Sequence, residues 1–360
     1  MLRLYEGPVR NKGLVSQLDT GRVDIRDGPL YDAAALGVRI SGFEIGVGTE
    51  MGKDKITVVG AGNVGATTAF IAATRQLGEI VLLDIVKGLP EGKSLDMAEA
   101  SPIYLSQQDI VGTMDWSATA GSDVVIITSG VPRKPGMSRD DLLATNARIV
   151  RDVSQKVVQY SPDAYVIVVC NPLDAMVYVA AKVTDFPANR VMGMAGALDS
   201  ARFTYFLAAE LGVSVEDVKC VLMGGHGDDM VPLPRFTSVS GIPIGQLLKS
   251  DRIDALIDRA RKGGIEIVNL LGYSAYYAPA AGAVKMAEAI LRDTKNVICC
   301  CAYCDKPYSA GGYFVGVPAV LGKGGVERVI ELDLNESEKK QFAVSLGHVK
   351  ELVTQVDKLM

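Results

Sequence analysis

Lys55-Ile56-Thr57-Val58-Val59-Gly60-Ala61-Gly62-Asn63-Val64-Gly65 is the stretch that decides the fold. Its first half is apolar and β-branched, as expected of a strand buried on both faces. Its second half is a Gly-x-Gly-x-x-Gly opening a helix over Asn63–Leu77. Alone, that glycine pattern is weak evidence. Between a strand and a helix it marks a dinucleotide-binding turn. Gly60 permits the tight turn. Gly62, followed by Asn63 and Val64, lets a pyrophosphate approach the backbone at the positive end of the helix dipole, and Gly65 lets helix and strand pack closely. Asp84 follows Gly65 by 19 residues and ends the next strand. A carboxylate there would accept hydrogen bonds from both ribose hydroxyls and repel a 2′-phosphate, so the cofactor expected is NAD and not NADP.

Working outward, strands over Glu79–Asp84, Asp109–Gly112, Asp123–Thr128 and Ala164–Cys170 alternate with helices, among them Arg139–Tyr160. That order implies an α/β fold, a Rossmann doubly wound parallel sheet. Past Pro187 the order changes to long helices, Asp199–Leu211, Arg252–Leu271 and Ala278–Leu291, mixed with short strands such as Val218–Met223. A Cys-rich strand, its partner Tyr313–Pro318 and a charged amphipathic helix, Ser337–Met360, complete an α+β catalytic domain. The expected division is 51–195 for the NAD-binding domain and 196–360 for the substrate-binding domain. Residues 1–50 hold eight glycines and no sustained periodicity. They are expected to be an extension that is poorly ordered, or a mis-assigned start with Met51 as the natural initiator. Asp19, Asp24, Asp27 and Asp32 make this segment too acidic for an organelle transit peptide.

Composition excludes several classes. A net charge of −5 over 360 residues argues against nucleic acid or an anionic membrane surface as a partner. No apolar run is long enough to span a bilayer, and Met1 to Leu18 lacks a signal-peptide apolar core, so the expected location is the cytoplasm. Four of the six cysteines fall in Cys299-Cys300-Cys301-Ala302-Tyr303-Cys304. Cys301 and Cys304 have C-x2-C spacing, but no second pair and no nearby histidine completes a site. The segment therefore reads as a buried strand in a reducing compartment, with no metal expected.

Chemistry-bearing residues cluster at strand ends. Gly130-Val131-Pro132-Arg133-Lys134-Pro135-Gly136-Met137-Ser138-Arg139 follows the strand Asp123–Thr128 and carries two arginines suited to a small doubly charged anion. His226, in Gly224-Gly225-His226-Gly227-Asp228, follows an apolar strand and is flanked by glycines that leave the ring room. Hydride transfer between a hydroxyl and NAD needs a proton acceptor titrating near neutrality, which suits histidine. Asp199 and Arg202, three apart at a helix start, share a face. Asp199 would orient His226, and Arg202 would bind a carboxylate bidentately. An ordinary helix salt bridge is the competing reading of that pair. His348, in the terminal helix, reads as a surface residue.

Together Gly-Ala-Gly-Asn-Val-Gly, Gly-Val-Pro-Arg-Lys-Pro-Gly-Met, Cys-Asn-Pro-Leu-Asp, Leu-Asp-Ser-Ala-Arg and Gly-Gly-His-Gly-Asp resemble the lactate/malate dehydrogenase family, in its lactate-dehydrogenase-like bacterial malate dehydrogenase branch. The resemblance runs in order from about Met51 to the C-terminus. It implies that His226 and Asp199 form the proton relay and that Arg202 holds the carboxylate beside the reacting carbon. It further implies that Arg139 enters with a closing loop to polarise the carbonyl and that Arg133 takes the distal carboxylate. Asn171 and Asn146 would align substrate and nicotinamide, and Ser274 would line the pocket. A homodimer or homotetramer is implied as well. Two departures stand out. Asp229 occupies a place where a small polar residue is expected, and would either raise the pKa of His226 or face solvent; the leader before Met51 lies outside the pattern.

Charge counting separates the candidate substrates. Pyruvate needs two cations, whereas oxaloacetate needs a third, and Arg133, Arg139 and Arg202 supply three. Lactate dehydrogenases of the family typically carry glutamine at the position of Arg133. The expected activity is therefore NAD-dependent malate dehydrogenase, with lactate dehydrogenase as the nearest alternative. An NAD-dependent glycosidase would need a divalent metal, for which Cys170 and His226 are the only plausible pair. A non-catalytic Rossmann protein would have lost one of His226, Asp199 or Arg202.

Overall fold

Ile56, Thr57, Val58 and Val59 of the first strand are at most 3% exposed, because both faces of the sheet they join are covered. The computed structural model describes residues 54–132 and 138–360. The expectations for residues 1–50 and for Arg133 lie outside the described residues.

The N-terminal half alternates strand and helix. It runs β1 (Lys55–Val59), α1 (Asn63–Thr74), β2 (Glu79–Leu83), α2 (Leu89–Tyr104) and β3 (Ile110–Thr113). β4 (Val124–Ile127), α3 (Arg139–Tyr160), β5 (Tyr165–Val168), α4 (Leu173–Thr184) and β6 (Val191–Gly193) follow. These strands lie in the order β3-β2-β1-β4-β5-β6 and all pair in parallel. That is the dinucleotide-fold order, and its direction of winding reverses between β1 and β4, where such sheets open a ligand crevice.

The second half contains α5 (Gly196–Leu211), β7 (Val218–Lys219), β8 (Leu222–Gly224), β9 (Met230–Pro232), β10 (Ser238–Val239) and β11 (Ile242–Pro243). α6 (Ser250–Leu271), α7 (Tyr277–Leu291), β12 (Asn296–Cys304), β13 (Tyr313–Gly322), β14 (Gly325–Val329) and α8 (Glu336–Leu359) complete it. β12 pairs antiparallel with β6, and β13, β8 and β9 continue outward, so one sheet crosses the boundary between the halves. Residues 52–360 accordingly form one compact unit.

Alternation along the strands builds two cores. Ile56, Val58, Ile80, Leu82, Val124, Ile126 and Ile167 meet α1 and α7 on one face. Val59, Leu83, Val125, Ile127, Val166 and Val168 meet α3 and α4 on the other. These side chains are almost wholly buried, and truncating any one isoleucine to alanine costs about 2–5 kcal/mol. Across α1 and α7, Arg75 donates to Glu288 at 2.5 Å and Arg292 donates to the Arg75 carbonyl at 2.7 Å.

The cysteine run is strand, as its sequence suggested. Cys299, Cys300, Cys301 and Cys304 are all buried in β12, between β6 and β13. Burial pushes the Cys304 thiol up to about 12, and among the described residues no cluster has the makings of a metal site. Of the features that differ from the sequence reading, two have a plain physical cause. α2 was not foreseen: Gly92 and Pro102 interrupt its pattern, and only Pro90, Ser94 and Met97 are buried in it. The expected strand Val218–Met223 is split, with β7 joining a small sheet beside β10 and β8 joining the main sheet at β13.

Candidate active site

The glycine loop lies at the reversal point and is shaped by contact. Gly60 has φ +105°, and a Cβ there would sit 2.8 Å from Thr128 Oγ1. A Cβ on Gly65 would sit 1.7 Å from the Gly60 carbonyl oxygen, so helix and strand touch at that point. Gly62 is different: a Cβ there meets nothing within 4 Å, which leaves its backbone open on the outer side. Gly62 caps α1 with no side chain over the first turn, and that turn holds no acid. Unshielded N–H groups of Asn63 and Val64 at a helix start suit an anion. The site thus fits a pyrophosphate. Asp84 is half-buried beside it; its Oδ2 accepts the Ala61 N–H at 2.6 Å and its Oδ1 the Val86 N–H at 3.0 Å. Each oxygen keeps a second lone pair, so the ribose role expected of Asp84 is compatible with these bonds. Lys93 of α2 donates to the Ala61 carbonyl at 2.7 Å, a buttress concealed in the helix that the sequence reading missed.

Across the crevice, β4 leads to Gly130, where a Cβ would lie 2.3 Å from Cys170 Sγ. Asn146 of α3 is 1% exposed and spends its amide on the backbone. It donates to the carbonyls of Val131 at 3.1 Å and Asn171 at 2.7 Å, and accepts the Val131 N–H at 2.8 Å. It is thus a strut joining the β4 loop to Asn171. Asn171 itself is exposed, just past β5 and before Pro172, to which it is joined by a cis peptide. Arg139 is exposed at the first position of α3, whose N-terminus is fixed by a capping box between Ser138 and Asp141.

Asp199, His226 and Arg202 come together as the sequence proposed. Asp199 is 2% exposed; its Oδ2 lies 2.9 Å from His226 Nδ1 and its Oδ1 accepts from Arg202 at 3.4 Å. Burial opposes a charge on His226, but the charge of Asp199, its hydrogen bond and the charge of Asp174 outweigh it, and the ring's pKa is raised. The tautomer with a proton on Nδ1 leaves Nε2 free to accept another. Arg202 passes beneath α6, where a Cβ on Gly263 would sit 3.1 Å from its Cδ. Gly263 therefore makes space for the arginine, a signal the sequence reading passed over. Burial lowers the Arg202 pKa and Asp199 opposes it, the net direction being down from the ordinary arginine value.

Three residues depart from the sequence reading or stand apart. Asp229, partly exposed, pairs with His348 Nδ1 at 2.7 Å, while the named influences on His226 are Asp199, Asp174 and Arg202. Ser274 is exposed between α6 and α7, and among the described residues no hydrogen bond joins it to the His226 cluster. Cys170 is buried, its thiol pushed up to about 12 and directed to the Asn171 carbonyl at 3.7 Å, which suits it poorly to pair with His226 as a metal ligand. Asp174, whose Oδ2 accepts the His226 main-chain N–H at 3.1 Å, was not foreseen.

Comparison with known proteins fits this geometry. Residues 54–193 match the family model described as lactate/malate dehydrogenase, NAD binding domain, and residues 196–360 match its alpha/beta C-terminal domain. The chain is 58% identical over 313 residues to malate dehydrogenase of Rhodopirellula baltica, covering 86% of this chain and 99% of that one. It is 54% identical to malate dehydrogenase of Heliobacterium modesticaldum, over 84% and 98% of the two chains. Among solved structures, malate dehydrogenase from Salinibacter ruber superposes with a TM-score of 0.82 at 52% identity, covering 85% of this chain and 98% of that one. Lactate dehydrogenase from Cryptosporidium parvum, with lactic acid and nicotinamide adenine dinucleotide bound, also gives 0.82, at 42% identity over 85% and 98%. With both halves matched and the His–Asp–Arg cluster in place, the chain belongs to the lactate/malate dehydrogenase family.

Proposed function

We propose that this protein catalyses the reversible NAD-dependent oxidation of (S)-malate to oxaloacetate. The observation that carries the reading is Asp199, whose two oxygens engage His226 and Arg202, so one buried acid organises both a proton carrier and a carboxylate clamp. NAD, when bound, supplies the hydride acceptor. The amides around Gly62, Asn63 and Val64 would hold its pyrophosphate and Asp84 its ribose, while Asn171, braced by Asn146, would align substrate and nicotinamide.

His226 takes the hydroxyl proton of malate at Nε2 and returns it during oxaloacetate reduction. Asp199 keeps the ring in the required tautomer and stabilises its cation. Arg202 holds the carboxylate beside the reacting carbon by two parallel hydrogen bonds. Arg139 polarises the carbonyl, Arg133 takes the distal carboxylate and Ser274 lines the pocket. The preference for a dicarboxylate rests on Arg133 in the sequence and on the malate dehydrogenases to which the chain is most than half identical. The test is NADH oxidation by the full chain, comparing kcat/KM for oxaloacetate and pyruvate. Preference for oxaloacetate is expected; preference for pyruvate would make it a lactate dehydrogenase.

A homodimer or homotetramer is part of this reading. Ile265, Leu270, Leu271 and Tyr277 are exposed on α6 and α7, an apolar surface suited to a second copy. Sedimentation equilibrium tests it, and a monomer at micromolar concentration would remove it. A cytoplasmic location is part of the same reading; among the described residues no helix is long and apolar enough to cross a membrane.

A further inference from the structure

Asp174 is a buried acid that the relay does not use. It lies in the first turn of α4, three residues after Asn171, and is 5% exposed. Its Oδ2 accepts the main-chain N–H of His226 at 3.1 Å, across 52 positions of chain. Its Oδ1 is buried and receives no N–H or O–H donor among the described residues; the one side-chain donor beside the carboxylate is the Cys301 thiol, a weak one. A carboxyl oxygen left in that state is costly, and an apolar side chain would fill the space at lower cost if packing were the only requirement. The groups facing Asp174 are His226 from the loop before β9, the Cys301 thiol from β12 and the amides of its own helix start. Those facing the His226 ring are Asp199 and Arg202 of α5 and Asp174 of α4.

We propose that Asp174 is a positioning residue for His226: by holding its main-chain N–H, it locks the imidazole-bearing loop to the turn that presents Asn171. Those two residues belong to different halves of the chain, and Asp199 anchors only the ring. A second tether on the backbone fixes where the ring sits relative to a substrate held beside Asn171. Small displacements matter, because proton transfer requires hydrogen-bond reach between Nε2 and the substrate oxygen. Burial raises the pKa of Asp174 itself, against the pull of His226; in its ionised form it favours the imidazolium, in the same direction as Asp199.

This inference rests on the reading of His226 as the proton carrier, so His226→Asn is measured first on the full chain. If that variant keeps wild-type turnover, the functional reading fails whatever Asp174 does. Asp174→Ala and Asp174→Asn are then compared for kcat per NADH-binding site, KM, NADH dissociation constant and the pH profile of malate oxidation. In the alanine variant kcat falls by at least about tenfold while NADH affinity holds. Asparagine restores most of kcat, because its amide oxygen still accepts the His226 N–H. With the charge removed, its acid limb moves to lower pH. Wild-type kcat in Asp174→Ala, or an Asp174→Asn no better than alanine, overturns the proposal.

If neither variant folds, the wild-type chain still decides. It has only two histidines, so selective ¹⁵N-histidine labelling resolves the main-chain N–H of His226 from that of His348. Strong protection of the His226 amide from hydrogen exchange is expected, and exchange at the rate of an unbonded loop amide overturns the tether.

Discussion

Oδ1 of Asp229 lies 2.7 Å from Nδ1 of His348, so the acid three residues from His226 is turned onto α8. The same helix grips the loop again through Ser345, whose Oγ accepts the Gly225 N–H and donates to the Asp229 carbonyl, each at 2.7 Å. An acid that looks out of place in the sequence is thereby answered by a histidine 119 residues away. The hydrogen bond from Asp229, then its charge, raise the His348 pKa above 6.5. A raised folded value means that the pair's stabilisation is fully present below the unfolded pKa and is lost as pH rises through the folded one. His348→Ala is therefore expected to lower Tm near pH 6 and to have little effect near pH 9. The pair is half-exposed, so the loss is no more than about 1 kcal/mol. Thermal melts at the two pH values check this, and an equal loss at both would sink it.

The glycine loop offers a contrast between two substitutions. Gly62→Ala adds a Cβ with nothing within 4 Å, at φ −64° and ψ −168°, which alanine adopts freely. The apoprotein should melt as the wild type does, while NADH binding weakens by about tenfold or more, since the methyl group occupies space a pyrophosphate approaches. Gly65→Ala places its Cβ 1.7 Å from a backbone oxygen, so α1 must move and the fold itself is destabilised. Melting without ligand, followed by fluorescence titration with NADH, separates the two. A Gly65→Ala protein as stable as Gly62→Ala would contradict the steric account.

The parts legible in the sequence are those whose cause is local or periodic. β1, β2, β4 and β5 are apolar runs because both their faces are covered, and α3 begins at Arg139 because Ser138 and Asp141 cap it. His226, Asp199 and Arg202 were legible because their chemistry and spacing are unusual together. α2 was not, since a helix with only Pro90, Ser94 and Met97 buried has little amphipathic pattern to show. The break between β7 and β8 was hidden too. It depends on pairings with Val239 and Gly316, and a Cβ on Gly316 would lie 2.2 Å from the Gly224 oxygen. Asp174 and Lys93 escaped for a similar reason: their partners are backbone groups of distant residues, which leave no mark in side-chain spacing.

Arg133 is expected to select the substrate. With pyruvate in the pocket its guanidinium would be desolvated and unpaired, a penalty of roughly 2–5 kcal/mol. That corresponds to a discrimination of about 30-fold to a few thousand-fold in favour of oxaloacetate. Arg133→Gln should collapse kcat/KM for oxaloacetate and raise it for pyruvate. If both activities instead fall by the same factor, Arg133 serves the loop and not selection.

The raised pKa of His226 has opposite consequences for the two directions of reaction. Malate oxidation needs the neutral ring, so its kcat/KM rises with pH through the His226 pKa. Oxaloacetate reduction needs the imidazolium and falls through the same value. Burial alone would lower that pKa, and Asp199 supplies the largest opposing influence. Asp199→Asn should therefore move both limbs to lower pH and depress kcat by about 10³-fold or more, as loss of an orienting carboxylate does in other His–Asp pairs. The two effects have different origins. The shift in the limbs comes from the missing charge, whereas the fall in kcat at optimal pH comes from the tautomer and orientation of the ring. A variant whose limbs move but whose optimal kcat is preserved would show that Asp199 acts only through charge. Limbs that stay fixed while kcat falls would show that it acts only by holding Nδ1.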